Sequence, residues 1–132
     1  MEIWQLTATE LRQKISKGEI SAREATESHL YRMDQVNVKI NAVAQSCEIE
    51  ALKEADLLDD KRIRGDELGV LAGVPVTVKI NVDQSGYATT NGLQLQKDLV
   101  AKIDNPVVNN LRKAGAIIIG RTNTPAFSLR WF

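Results

Sequence analysis

The stretch GVLAGVPVTVKINV, residues 69–82, marks the point where the chain changes from a helical to an extended pattern. Five β-branched residues in it alternate strictly with other residues: Val74, Val76, Val78, Ile80 and Val82. A period of two is typical of a β-strand that buries one face. The opposite face carries Lys79 together with Thr77 and Asn81, so it is the face on which chemistry is expected.

Residues 1–68, by contrast, predict mainly helices. Thr7 is followed three residues later by Glu10, and Ser21 by Glu24, and each pair is the signature of a capping box at a helix N-terminus. Apolar spacing adds two further segments: a short strand over 40–44 and a helix over 48–61.

The residues after the first strand predict a loop, a helix and a second strand. A polar loop over 85–93 leads to a helix over 107–114, with Pro106 at the first helical position, where a missing N–H costs little. The apolar residues 116–119 predict a short buried strand, and residues 120–125 predict a loop. A helix, a glycine and a buried strand in this order are typical of the α/β class.

Composition excludes several classes of protein. The 132 residues carry 17 Lys plus Arg and 17 Asp plus Glu, and this balance lacks the basic footprint of a nucleic-acid binder. An apolar content of 43% argues against disorder, and no apolar run approaches the roughly 18 residues that a membrane helix needs. The N-terminus lacks the features of a secretory signal, and a single cysteine cannot form an internal disulfide. We therefore expect at most one domain, in the cytoplasm, with neither nucleic acid nor membrane as a partner.

Lys79 is the strongest catalytic candidate that the pattern offers. A lysine flanked by Val78 and Ile80 loses water if the sheet is covered on both faces. Desolvation disfavours the ammonium form, and a neutral amine can serve as a general base. The alternative is an edge-strand lysine that discourages aggregation or extends its charge into water. Strand spacing alone leaves both interpretations open.

A second candidate is the loop segment Thr89, Thr90, Asn91 and Gly92, which offers hydroxyls, an amide and a flexible backbone to a ligand. The same residue types are common in plain turns, so a turn without a ligand remains the alternative. Residues 121–123 follow an apolar strand, which is where α/β proteins tend to place ligand contacts; a plain strand-to-helix turn is the alternative.

Neither a metal site nor a cofactor site is predicted. His29 has no second histidine or acidic residue at metal-ligand spacing, so we expect a surface or half-buried helical residue. Cys47 lacks a neighbouring cation and is expected to be a buried or inert thiol. The aromatic residues Trp131 and Phe132 at the end of the chain indicate a cut through a larger protein, with a helix docked on its own core as the alternative.

Several motifs, taken in order along the chain, resemble the amidase signature family. The most extended is the run LAGVPVTVK over 71–79. The others are shorter: LTATEL at 6–11, GEIS at 18–21, NAV at 41–43, TTNG at 89–92, LRKAGAI at 111–117 and GRTN at 120–123. Each motif alone is common, but their combination is specific and covers essentially the whole chain.

This resemblance implies a mixed sheet wrapped by helices and the hydrolysis of small-molecule carboxylic amides without a cofactor. The family uses a Ser–cis-Ser–Lys triad, in which one serine attacks the amide carbonyl while the second serine and the lysine move the proton. Lys79 matches the triad lysine, and residues 89–92 are the expected substrate contact. Residues 1–132 then form the N-terminal part of one such domain, mostly helical over 1–68 and strand-loop-helix-strand over 69–132.

The resemblance places both serines downstream of residues 121–123, in a Gly/Ser-rich segment that this chain does not contain. A base without its nucleophile should give negligible hydrolysis, because triad members act as a unit. We therefore expect the isolated chain to be inactive. We also expect it to self-associate or to sit beside the remainder of its amidase, because a partial sheet exposes edges and apolar surface.

Departures from the family pattern keep two alternatives open. Many members carry Asp where this chain has Ile80, and Glu where it has Ala126. The amidotransferase A subunits that act on charged transfer RNA usually keep that Asp, so the sequence looks more like a stand-alone amidase than like part of such a protein. A non-catalytic binding or interaction module that keeps the fold elements is the other alternative.

Overall fold

A computed structural model describes residues 2–129, which form helices and strands in the following order along the chain. The helices are α1 (Ala8–Lys17), α2 (Ala22–Ile40), α3 (Glu48–Arg64) and α4 (Pro106–Lys113). The strands are β1 (Val43–Ser46), β2 (Pro75–Lys79) and β3 (Ile117–Thr122). Trp131 and Phe132, on which the expectation of a cut chain rests, lie outside the described residues.

The predicted capping boxes begin the first two helices. The Thr7 hydroxyl accepts a hydrogen bond from the N–H of Glu10, and the Glu10 carboxylate accepts one from the N–H of Thr7 at 2.8 Å. Ser21 and Glu24 repeat this arrangement at the start of α2. α1 ends at Gly18, whose left-handed φ of 71° closes the helix. Residues close in sequence therefore determine where these helices begin and end.

The N-terminal helices share a cluster of buried apolar side chains. Its buried members are Leu11, Ile15, Ala22, Ala25, Ala55, Leu58 and Ala72. Four of these seven residues are alanines, and small side chains at a contact permit a short distance between packed elements.

β3 is the central strand of the sheet, whose order is β1–β3–β2. β1 runs antiparallel and β2 parallel to β3, so the sheet is mixed. Ile117 and Ile119 pack against α2 and α3, whereas Ile118 packs in a separate cluster with Val78 and Val108 of α4. Helices thus cover both faces of the central strand, and the predicted α/β class is confirmed.

Two strand boundaries differ from the predicted ones. β2 ends at Lys79 and not at Val82, because the N–H of Val82 donates to the carbonyl of Lys79 at 3.0 Å and closes a turn. β3 continues through Thr122, so Arg121 belongs to the strand and not to the predicted loop. β1 pairs with this extension and satisfies its backbone hydrogen bonds.

Smaller shifts occur in the helical part. β1 covers Val43–Ser46 and not 40–44, because α2 continues through Ile40 and closes at Asn41 with a left-handed φ of 48°. α3 extends three residues past its predicted end at 61, up to Arg64. No helix in the described part of the chain is long and apolar enough to cross a membrane.

Candidate active site

Lys79 is the last residue of β2 and pairs with Thr122 at the same end of β3. The two strands are parallel, so their carboxyl ends meet at one edge of the sheet, where α/β proteins commonly build ligand sites. The Lys79 side chain is exposed, as is Thr77 on the same face of β2. Residues 2–129 therefore do not provide the cover that would desolvate this lysine.

A chain of side-chain hydrogen bonds lies two residues beyond Lys79. Asn81 donates from Nδ2 to the Ser128 Oγ at 3.2 Å. The hydroxyls of Ser128 and Thr124 are 2.7 Å apart, and Thr124 is buried. Ser128 has a left-handed φ of 56°, which is uncommon for a residue other than glycine. These contacts tie the segment after β3 to the end of β2.

Two residues of the predicted binding segment are engaged within the loop itself. Thr89 is buried and donates from Oγ1 to the Asp83 carboxylate at 2.6 Å. Asn91 donates from Nδ2 to the Gln96 side chain at 2.8 Å and has a left-handed φ of 50°. These two side chains therefore shape the loop.

Thr90 and Gly92, by contrast, line an open cleft of about 280 Å³ at the carboxyl edge of the sheet. The other lining residues are Ala44, Ile80, Leu93, Gln94, Lys97 and Asn123. Gly92 also lies against the segment after β3, since an added Cβ would come within 2.6 Å of the Thr124 carbonyl oxygen. A lining that is partly apolar and also offers a hydroxyl, two side-chain amides and a cation suits a small polar ligand.

Arg121 is fully buried in β3. Its guanidinium donates to three backbone carbonyls of the segment after β2: Ile80 at 3.2 Å, Val82 at 2.8 Å, and Ala88. All of its hydrogen bonds within residues 2–129 go to carbonyls of this segment. Burial lowers the pKa of Arg121 from its ordinary value, because desolvation disfavours the positive charge.

Cys47 is buried beneath the loop that follows β2, and Tyr87 is a residue of that loop. Burial raises the pKa of the Cys47 thiol, and the Gln84 Nε2 lies 3.7 Å from its Sγ. The Tyr87 hydroxyl donates to the Glu50 carboxylate at 2.9 Å, and burial raises the pKa of Tyr87 as well. The expectation of a buried thiol is confirmed, and a thiol held protonated is a poor nucleophile.

His29 is half-buried in α2, where its Nδ1 lies 2.8 Å from the Ala25 carbonyl oxygen. This environment is the one expected for a structural helical residue. Within residues 2–129, no group of three His, Cys, Asp or Glu side chains could hold a metal ion.

Two features of this edge of the sheet were not predicted from the sequence. The first is the role of Arg121 as a buried donor, which a charged residue two positions after the apolar run 116–119 could have indicated. The second is the contact between Asn81 and Ser128, which joins positions 47 residues apart and has no local signal.

Comparison with known proteins places these observations in a family. The chain matches the Amidase family over residues 24–131. It is 51% identical to an indoleacetamide hydrolase of Bradyrhizobium diazoefficiens, over 98% of this chain and 25% of that protein. It is 35% identical to the A subunit of a glutamyl-tRNA(Gln) amidotransferase of Alkaliphilus metalliredigens, over 98% of this chain and 26% of that protein.

Solved structures agree with this assignment. A bacterial aryl acylamidase of the amidase signature family superimposes with a TM-score of 0.90 at 26% identity, over 96% of this chain and 27% of its own. The chain spans about a quarter of the length of these relatives. Its motifs, its mixed α/β fold and the family match over 24–131 lead to one conclusion: this chain belongs to the amidase signature family.

Proposed function

We propose that this chain is the lysine-bearing first part of an amidase domain, which hydrolyses carboxylic amides through a Ser–cis-Ser–Lys triad. Lys79 is the base of that triad, and the remainder of the domain supplies both serines. The observation that supports this most directly is the position of Lys79. It ends β2 at the carboxyl edge of the sheet, is exposed, and lies within the residues that match the family.

The exposed face of β2 is, in this proposal, the face against which the remainder of the domain packs. Such packing removes water from Lys79 and brings the relay serine to its amine. The amine accepts, through the relay serine, the proton of the nucleophilic serine as its oxygen attacks the amide carbonyl. The proton then passes to the leaving nitrogen, and water releases the acyl group by the same relay, while backbone N–H groups stabilise the oxyanion.

The cleft lined by Thr90 and Gly92 is the proposed substrate contact, and Thr89 and Asn91 hold its loop in shape. A small-molecule amide is the proposed substrate class. Because the chain is 51% identical to an indoleacetamide hydrolase, indole-3-acetamide is the first compound to test.

The test is a hybrid in which this chain replaces the corresponding quarter of the Bradyrhizobium diazoefficiens enzyme. We expect the hybrid to release ammonia from indole-3-acetamide, and Lys79→Ala to lower kcat/KM by at least about a thousandfold. The matched control is Lys53→Ala on the exposed surface of α3, which should leave the rate unchanged. The 132-residue chain alone should show no hydrolysis.

Two outcomes would overturn this proposal. A hybrid whose activity survives Lys79→Ala would remove the lysine from the mechanism. A hybrid that folds, as judged by circular dichroism, but hydrolyses no amide would favour the non-catalytic binding module if the amidotransferase hybrid described below is inactive as well.

Part of an amidotransferase A subunit is the second candidate, because the chain is 35% identical to such a protein over 129 residues. The equivalent hybrid on the amidotransferase distinguishes the two: activity there, with none on the hydrolase, would favour the amidotransferase. For both candidates we propose a cytoplasmic location, which the free thiol of Cys47 supports.

A further inference from the structure

We propose that Arg121 is a positioning residue for this site. Its buried guanidinium holds the backbone between Lys79 and Thr89, and it thereby sets where both predicted site segments lie. The link to catalysis rests on the proposed function, whereas the contacts of Arg121 do not depend on it.

The burial of Arg121 is the first reason. Arginine is almost never fully buried unless it is paired, and Arg121 has no exposed surface. Its hydrogen bonds within residues 2–129 go to neutral carbonyls, and its Nε has no partner among those residues. Burying a charge in this way is costly, so a packing role alone would be better filled by an apolar side chain.

The position of the three acceptors is the second reason. Ile80 and Val82 follow Lys79 almost directly, and Ala88 immediately precedes Thr89. One planar guanidinium with several fixed donors can bind carbonyls from two points of a loop at once. The Arg121 side chain therefore fixes both the backbone that leaves β2 and the backbone that leads into the segment 89–92.

Neighbouring contacts support the same geometry. The centroid of the Tyr87 ring lies 5.9 Å from the Arg121 Cζ, and the Tyr87 hydroxyl donates a hydrogen bond to Glu50 of α3. Thr89 donates to Asp83 and closes the loop across its base. Loss of the guanidinium removes the three carbonyl contacts but leaves these neighbouring contacts in place. We therefore expect the loop to become more mobile without unfolding, while the helical core stays intact.

The test is amide hydrogen exchange on the whole chain carrying Arg121→Ala, with Arg12→Ala as the matched control. Arg12 also donates to a backbone carbonyl, that of Gly69 at 3.0 Å, but in the helical part. We expect Arg121→Ala to leave exchange in α1 unchanged. We expect it to accelerate exchange at least about tenfold at three loop amides whose hydrogen bonds close the loop: Gly86, Thr89 and Ala101. Arg12→Ala should leave those three amides unchanged.

Rescue separates positioning from packing. Free guanidinium at a low, non-denaturing concentration should restore protection of the loop in Arg121→Ala, whereas the same concentration of ammonium should not. Arg121→Met restores apolar volume without donors, so it should exchange as fast as Arg121→Ala. If Arg121→Ala does not fold, Arg121→Lys is compared with Arg12→Lys in the same way.

Three results would overturn the inference. These are unchanged loop exchange in Arg121→Ala, full protection in Arg121→Met, and equal acceleration in α1 and the loop in both the Ala and Lys variants. Because the measurement needs no amide hydrolysis, an inactive hybrid would overturn the proposed function and leave this result as it stands.

Discussion

The helical core and the carboxyl edge of the sheet differ in the kinds of side chain that they bury. The buried residues of the three N-terminal helices are apolar except for Thr26, and α1 and α2 begin at caps formed by neighbouring residues. Of the five buried polar residues in the described part of the chain, four lie at or beyond position 84: Gln84, Thr89, Arg121 and Thr124. The helical half therefore relies more on non-directional burial, whereas the site half relies more on directed contacts between distant residues.

Removal of apolar volume from the helical core should have the largest effect on stability. Ile15 has no exposed surface, and its Cδ1 would lie 2.6 Å from a Cβ added at Gly73, so this region is tightly filled. Ile15→Ala should lower the free energy of unfolding by about 2–5 kcal/mol in urea denaturation followed by circular dichroism. Ile63→Ala, on an exposed part of α3, should change it by less than about 0.5 kcal/mol. Equal losses would contradict the assignment of the core.

A pair of glycines tests the directed contacts of the site half. Gly92 and Gly86 both have a left-handed φ, so alanine at either position incurs similar backbone strain. A Cβ at Gly92 would meet the Thr124 carbonyl oxygen at 2.6 Å, whereas a Cβ at Gly86 meets nothing within 4 Å. We expect Gly92→Ala to destabilise the protein by about 1–2 kcal/mol more than Gly86→Ala in the same denaturation assay. If the two variants have the same free energy of unfolding, the contact between residues 92 and 124 does not stabilise the loop.

Loss of a helix cap should have a smaller effect. Ser21→Ala removes the acceptor for the N–H of Glu24 and should cost about 1 kcal/mol in the free energy of unfolding. Ser16→Ala is the control, because Ser16 lies near the end of α1 and its hydroxyl donates to the Gln13 carbonyl of the same helix. A difference of less than about 0.3 kcal/mol between the two variants would show that the cap contributes little.

The smallest expected effect is a dependence on pH. Backbone and hydroxyl hydrogen bonds from Ser21 lower the pKa of Glu24 below its ordinary range. A lowered folded-state pKa means that this stabilisation is present above the ordinary glutamate pKa and is lost as the pH falls through the lowered value. Glu24→Gln should thus destabilise the protein at neutral pH, and its difference from the unmodified chain should shrink in acid, as urea denaturation at several pH values can measure. A difference that stays constant into acid would contradict this.

Much of the fold was predictable because it depends on residues that are close in sequence. Thr7 and Ser21 cap helices with partners three residues away, and the alternation along β2 correctly separates buried Val78 from exposed Lys79. The end of β2 was not predictable, because the apolar alternation continues past it. The carbonyl of Ile80 is instead bound by a side chain 41 positions away.

The candidate site likewise has one part that was predictable from the sequence and one part that was not. The resemblance picks out Lys79, and the structure places it at the end of a strand. The roles of residues 89–92 could not be separated from the sequence, since polar and flexible residues there are equally suited to a turn and to a binding site. Which hydroxyl is buried depends on the carboxylate of Asp83, and which position meets the cleft depends on the segment near Thr124.

The buried sulfur under the loop gives the protein a built-in reporter. Cys47 is its single cysteine, and the Gln84 amide lies across it. A thiol reagent reaches that sulfur only when the covering residues move aside, so the labelling rate measures how frequently this region opens. Any contact that stabilises this region, including the packing of another polypeptide segment against the sheet, should slow the labelling of Cys47. The rate of labelling then reports on that contact without an added dye.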